Sequence, residues 1–141
     1  VSAPPTTTVR YADVAVDDQL PPLDLPLTRS LIVATAIASR DYQDVHHDPD
    51  LAVERGSPDI FMNILSTNGF VGRFITDWAG PDAVLTSVSI RLGAPNYPGD
   101  TMVMTGVVSA TDDATRTVTV DVVGANSKGN HVTGQVTVVL P

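Results

Sequence analysis

Two of the chain's three histidines lie in one stretch, Ser39-Arg40-Asp41-Tyr42-Gln43-Asp44-Val45-His46-His47-Asp48-Pro49. Asp41 and His46 are the pair there that can do acid–base work. A neutral imidazole has an unperturbed pKa of about 6.5, and a carboxylate beside it can orient the ring. A water held between the two can then lose its proton to one of them. The spacing alone decides little, because an Asp that caps a helix end followed by a surface His reads the same way. His47 follows directly, so its ring should point away from that of His46, toward solvent or an interface. Two adjacent histidines with Asp48 are poorly spaced for a shared ion, and Asp48 before Pro49 reads as a helix cap, so no metal is expected. Tyr42 and Gln43 are candidates for substrate contact, set against packing or loop hydrogen bonding.

These groups need elements to hold them. Leu23, Leu25 and Leu27 alternate with Asp24 and Pro26, the pattern of a short, half-buried edge strand. Thr28 suits an N-cap, and Leu31, Ile32, Ala34, Thr35 and Ala38 recur at helical spacing up to Ser39, immediately before Asp41. Asp48-Pro49 opens a short helical turn that runs to Gly56. A long core helix is expected from Asp59 to Trp78, carrying Ile60, Phe61, Ile64, Leu65, Val71, Ile75 and Trp78 on one broad stripe. Asp59 suits the positive end of its dipole, and Gly80-Pro81 suits its stop. Gly69 and Gly72 cost helix propensity, for which a close approach to a sheet is one reason. Period-two, β-branched stretches follow at Val84 to Leu92, Met102 to Ala110, Thr115 to Val123 and His131 to Leu140, with turns at Asp112-Asp113 and Ser127 to Gly129. One long helix followed by four strands gives an α+β domain in which an antiparallel sheet lies against the helix. The helix covers one side of that sheet, so the other face or an edge is expected to meet a partner chain. For that reason the isolated chain is not expected to be a stable monomer.

The 141 residues suit one domain, able to bury roughly two thirds of the surface its unfolded chain exposes. Residues 1–19 are expected as a flexible leader and 20–141 as the domain. There is no cysteine, so neither disulfides nor a thiolate metal site supports the fold. A net charge of -8 argues against nucleic acid and anionic membranes, both of which are bound through Lys and Arg. Fifteen of the sixteen acids are Asp, which favours caps and turns, so the charge should sit in connections. No signal-peptide pattern or long apolar run is visible, which makes a cytoplasmic protein the default.

An acid near a helix end, a His five residues later, then Asp-Pro and a short apolar helix resembles the MaoC-like (R)-specific enoyl-CoA hydratases of the hot-dog fold. Ser39, Asp41, His46, Asp48, Pro49 and Ala52 match that family's segment, whereas its glycine, asparagine and proline are replaced by Arg40, Gln43 and Asp44. Pro98-Gly99-Asp100 and the stretch from Asn126 to Gly134 resemble further, mainly structural, parts of the family pattern. The stretches Ile37 to Asp48, Asp59 to Leu65 and Thr76 to Pro81 look most like the branch formed by the small subunits of bacterial steroid (cholesterol) side-chain hydratases.

The resemblance implies a single hot-dog domain with its antiparallel sheet wrapped around one long central helix. It implies Asp41 and His46 as the catalytic pair. It also places the thioester oxygen on a backbone N–H at the start of the long helix, where Asn63 stands in place of the family's glycine. For Asn63 itself, that oxyanion role and ordinary helix placement are balanced. The implied reaction adds water to the side-chain double bond of a steroid CoA thioester with a three-carbon side chain. No cofactor is needed, since CoA belongs to the substrate. The implied partner is a larger subunit that joins a MaoC-like domain to an OB-fold-type domain, in an α2β2 assembly. With few cations on this chain, that partner is expected to supply most contacts to the CoA phosphates. A thioesterase on the same fold, or a non-catalytic acyl-CoA-binding scaffold subunit, are the competing readings.

Overall fold

The computed structural model describes residues 6–141. Strand β1 (Leu23–Pro26) leads into helix α1 (Arg29–Ala38), then a 3-10 turn (Asp44–His46), helix α2 (Pro49–Glu54) and the long helix α3 (Ile64–Ala79). Four strands follow: β2 (Val84–Leu92), β3 (Thr101–Asp112), β4 (Thr117–Asn126) and β5 (Gly129–Val139). All pairs are antiparallel, in the order β1-β3-β4-β5-β2. This is the expected α+β hot-dog arrangement, one sheet against one long helix.

Alternation along the strands sets the two faces. Met102, Met104 and Val108 of β3, Val118, Val120 and Val122 of β4, and Val132, Val136 and Val138 of β5 are buried against Val71, Phe74 and Ile75 of α3. One tight contact lies at a sheet glycine. A Cβ at Gly106 would meet the Phe74 ring at 3.0 Å and Val120 at 3.1 Å, so those side chains would have to give way to any larger residue there. The helix glycines behave differently from expectation. Gly72 faces Leu85 of β2 at an ordinary 3.8 Å, and a Cβ at Gly69 would meet nothing within 4 Å.

The outer face of the sheet is largely polar. Asp121 there accepts from Ser109 and Gln135, and Thr86 pairs with Thr137. Apolar side chains are left exposed at Val103 and Val107 of β3 and along the edge strand β2. Leu85, Val88, Ile90 and Leu92 face inward by their register with β5, and α3 meets Leu85 at Gly72, yet Leu85 and Leu92 are each still 36% exposed.

Two boundaries differ from the sequence expectation. The long helix starts at Ile64 and not at Asp59. Asn63 caps it by accepting from the Ser66 N–H, while Ile60 and Met62 are buried in an extended segment that carries the apolar pattern back without being helical. Asp59 spends its carboxylate on a two-pronged pair with Arg29 (2.9 and 2.8 Å) and on the Ile60 N–H, and the Arg29 guanidinium holds it below the usual carboxylate range. The folded body also begins ahead of the expected boundary at residue 20. Val9 N–H donates to the Ala79 carbonyl, Tyr11 N–H to Pro141, and Gln19 bridges to Val107, while Val9, Tyr11 and Val14 pack on the core. This strip lies so close to the end of α3 that a Cβ on Gly80, whose φ is 91°, would sit 2.5 Å from the Thr7 carbonyl. Residues 1–5 of the expected leader lie outside the described residues. Among those described, no helix is long and apolar enough to cross a membrane.

Candidate active site

Asp41 is placed by the way α1 stops. Thr28 caps the start of that helix through the Leu31 N–H, as expected. At its end, Arg40 N–H donates to Ile37 and Asp41 N–H to Ala36, a Schellman motif with Arg40 in the left-handed position at φ 58°. The loop therefore keeps the conformation a glycine would take, although the glycine is missing. Asp48 caps α2 through Asp50 and Leu51, again as expected. Asp44, standing at the position of the family proline, ties the 3-10 turn to the end of α2 through Arg55 at 2.7 Å.

His46 is buried and fixed on two sides by Phe61. Its Nδ1 lies 2.7 Å from the Phe61 carbonyl, and the two rings meet edge to face with centroids 4.9 Å apart. A carbonyl oxygen only accepts, so Nδ1 carries a hydrogen and the neutral ring presents a lone pair at Nε2. That lone pair faces Asp41 Oδ2 at 3.5 Å. Asp41 is held as an anion. Asn63 Nδ2 donates to Oδ2 at 3.0 Å and the Gln43 N–H to Oδ1 at 3.3 Å, and these bonds, that of Asn63 foremost, hold its carboxyl below the usual range against an opposing effect of burial. Two acceptors facing each other at this distance repel unless a proton donor bridges them. A water seated beside the pair, in reach of both atoms, can supply that donor.

Asn63 joins the parts. Its carbonyl Oδ1 accepts from the Ser66 N–H and the Ser66 hydroxyl, and its amide donates to Asp41 and to the Ser39 hydroxyl at 2.9 Å. The sequence reading considered only its backbone. That backbone N–H takes no hydrogen bond among the described residues and sits at the open, positive end of α3, the position at which an anionic oxygen is stabilised. The Asn63-x-x-Ser66 spacing was the signal for both the cap and the true helix start.

Tyr42 and Gln43 are placed differently. Their side chains line a depression of ≈ 350 Å³ shared with Asp44, Val45, His47 and Arg55, which does not include Asp41 or His46. Gln43 serves the pair through its main chain, and Tyr42 is 67% exposed. His47 is exposed, as expected. A second, mainly apolar cleft of ≈ 320 Å³ opens between α1 and α3. It starts at Ser39 and Ser66, the two hydroxyls bonded to Asn63, and is lined further by Ala38, Leu65 and Phe70.

A hot-dog fold carrying a facing carboxylate and imidazole at the start of its long helix defines a MaoC-like protein, and a family model described as a MaoC-like domain matches residues 5–130. The chain belongs to that family. It is 52% identical over 117 residues to the 3-oxo-4,17-pregnadiene-20-carboxyl-CoA hydratase beta subunit of Mycobacterium tuberculosis, covering 83% of this chain and 89% of that protein. A chain in the crystal structure of the ChsH1-ChsH2 complex from Mycobacterium tuberculosis matches with a TM-score of 0.87 and 49% identity, covering 90% of this chain and 98% of that one. The (R)-hydratase from A. caviae involved in PHA biosynthesis shares the fold, with a TM-score of 0.84 at 19% identity over 92% of this chain and 98% of that one.

Proposed function

We propose that this chain is the catalytic small subunit of a heteromeric enoyl-CoA hydratase that acts on a steroid CoA thioester with a three-carbon side chain. The observation that carries the reading is the open pair. His46 Nε2 and Asp41 Oδ2 face each other at 3.5 Å, with the other polar atoms of both side chains already bonded. The identity to a steroid-CoA hydratase subunit supports the choice of substrate.

In this reading a water held by the pair attacks the β-carbon, which belongs to ring D because the double bond joins ring and side chain. The Asp41/His46 pair takes the water's proton as the C–O bond forms. The alkene's electron pair moves through the α-carbon to the thioester oxygen, which the Asn63 N–H and the end of the α3 dipole stabilise as an enolate. The enolate collapses as the pair returns the proton to the α-carbon, so one whole water is added. The product is a β-hydroxy thioester, suited to a later retro-aldol cleavage.

The apolar cleft between α1 and α3 gives the ring system a surface that continues from Ser39 and Ser66. The uncovered β2 edge gives the larger subunit a place to extend the sheet, in an α2β2 assembly. With eight Lys and Arg against sixteen acids, and with Arg29, Arg55 and Arg73 paired to Asp, the partner supplies most cations for the CoA phosphates. The enzyme is cytoplasmic and has no cofactor of its own.

The test is to purify the chain with and without its larger partner and offer it the steroid enoyl-CoA. Hydrated thioester formed only when this chain is present supports the reading. Free CoA released at catalytic rates, with no hydrated product, reverses it in favour of a thioesterase. A partner that hydrates fully alone makes this chain a scaffold.

A further inference from the structure

His131, at the start of β5, is 2% exposed and takes no part in the reaction described above. Its Nδ1 lies 2.7 Å from the Ala94 carbonyl and therefore carries a hydrogen. Its Nε2 lies 2.8 Å from the Thr67 hydroxyl in the first turn of α3. Burial pushes the imidazole pKa below its ordinary value, so Nε2 is a bare acceptor near neutral pH and the Thr67 hydroxyl donates to it. That hydroxyl has one hydrogen. Its other neighbour, the Asn63 carbonyl at 3.3 Å, is the more distant acceptor, so the bond to His131 is the one that fixes the Thr67 rotamer.

Thr67 also returns its backbone N–H to the Asn63 carbonyl at 3.2 Å. The first turn of α3 is thus anchored on one side to the sheet through His131. On the other side Asn63 presents its amide to Asp41 and Ser39. We infer that His131 is a positioning residue for the acid–base pair, acting through Thr67 and Asn63 to set where the Asp41 carboxylate sits opposite His46. The kinetic part of this inference rests on the hydratase reading. Asp41 is faced by Asn63 from the α3 cap, by the Gln43 N–H from its own loop and by His46 from the 3-10 turn, and His46 is the titratable group among them. Displacing Asn63 therefore shows in the Asp41 titration itself.

The experiment compares Thr67→Val, which keeps the side-chain shape and removes the hydroxyl, with Thr67→Ser, which keeps the hydroxyl. Both are made in the full chain assembled with its partner. Thr67→Val is expected to lower kcat about tenfold while KM holds, since small misplacements of a reacting group act on the chemical step. It should also move the Asp41 carboxyl, read by carbon NMR without substrate, up toward the ordinary range. Thr67→Ser should restore both. Should Thr67→Val fail to fold, His131→Asn, which keeps a donor for the Ala94 carbonyl and lacks Nε2, is read the same way. A Thr67→Val or His131→Asn enzyme that melts earlier yet keeps the wild-type kcat and Asp41 titration reduces the network to core packing and overturns the inference. A protein that turns over no enoyl-CoA but whose Asp41 still shifts in Thr67→Val overturns the reaction and keeps the positioning.

Discussion

The two buried histidines are set up alike and finished differently. Each gives its Nδ1 hydrogen to a backbone carbonyl at 2.7 Å, Phe61 for His46 and Ala94 for His131, so each turns a bare Nε2 toward one partner. For His131 the partner is a hydroxyl at 2.8 Å that satisfies it. For His46 it is a carboxylate at 3.5 Å that cannot donate. The closed arrangement holds structure. The open one leaves two acceptors available to a water that can react. A buried His is therefore assigned by asking what its second nitrogen meets, and whether that group completes the bond.

The strongest way to break the comparison is to remove the open pair. Asp41→Asn replaces an acceptor by a group that can donate to Nε2 and so satisfies it without changing the shape. His46→Ala removes the lone pair. Each should lower kcat for hydration by roughly 10²–10⁴-fold in the assembled enzyme, with the far-ultraviolet spectrum unchanged. Full activity in either variant would remove that residue from the chemistry. Next in size is Asn63→Asp, which separates two functions of one side chain. An Asp caps a helix as well as an Asn does, so the bonds to Ser66 that start α3 are kept, while the buried like charge beside Asp41 costs several kcal/mol of stability. The donors to Asp41 and Ser39 are lost and a like charge is added, so the Asp41 carboxyl should titrate higher and the acid limb of the kcat profile should move up in pH. An acid limb that stays where it is in the folded variant would leave Asn63 only its capping role.

The closed histidine has its own signature in stability. Unfolded, its imidazole takes up a proton near the ordinary value of about 6.5. Folded, burial keeps it neutral to lower pH. Between those two points the unfolded state binds more protons, so stability falls as the pH drops through that window and this group costs nothing further below it. The depressed carboxylates Asp41, Asp44, Asp59, Asp100 and Asp112 act in a separate, more acidic window. Their contribution is complete above the ordinary carboxylate value and is lost as pH falls through their lowered ones. Melting temperatures of the assembled wild type between pH 7 and 5 should therefore decline, and in His131→Gln that decline should flatten. A wild-type melting temperature that is level over this range would mean that His131 is not the buried neutral group the geometry describes.

Much of this was legible in the sequence, for physical reasons that also show where reading fails. Thr28, Asp48 and Gly80 act locally through their own backbone neighbours, so the elements they cap were readable. Asp41 and His46 could be paired because both lie in one short loop, and the resemblance gave them roles. The start of α3 misled because Ile60 and Met62 bury apolar side chains from an extended segment, and burial alone does not tell that apart from a helical stripe. The side-chain bonds of Asn63 and the meeting of His131 with Thr67 join residues up to 64 positions apart, which no local pattern encodes. The stretches around Pro98 and Asn126, read as separate structural matches, meet in space. Asn126 donates to Pro95 and Asn96, Ser127 donates to Asp100, and the Asn96 carbonyl receives Met62 N–H, the residue before Asn63.

The smallest expected effect tests how the open pair is held. Besides the Asn63 amide on its carboxylate, Asp41 is placed by the main chain, one residue after Arg40 in the left-handed conformation. That conformation costs a side-chain-bearing residue roughly 1–2 kcal/mol, and glycine avoids the cost while losing more entropy on folding. The Arg40 side chain is exposed and makes no hydrogen bond among the described residues, so Arg40→Gly removes strain without removing a contact. Chemical denaturation should show a net gain of roughly 0.5–1 kcal/mol. The Schellman bonds that place Asp41 remain available to glycine, so kcat should not change. A stabilised enzyme with a clearly lower kcat would show that the loop needs the stiffness of a side chain at residue 40 to aim Asp41. The open pair would then depend on backbone strain in a way the closed one does not.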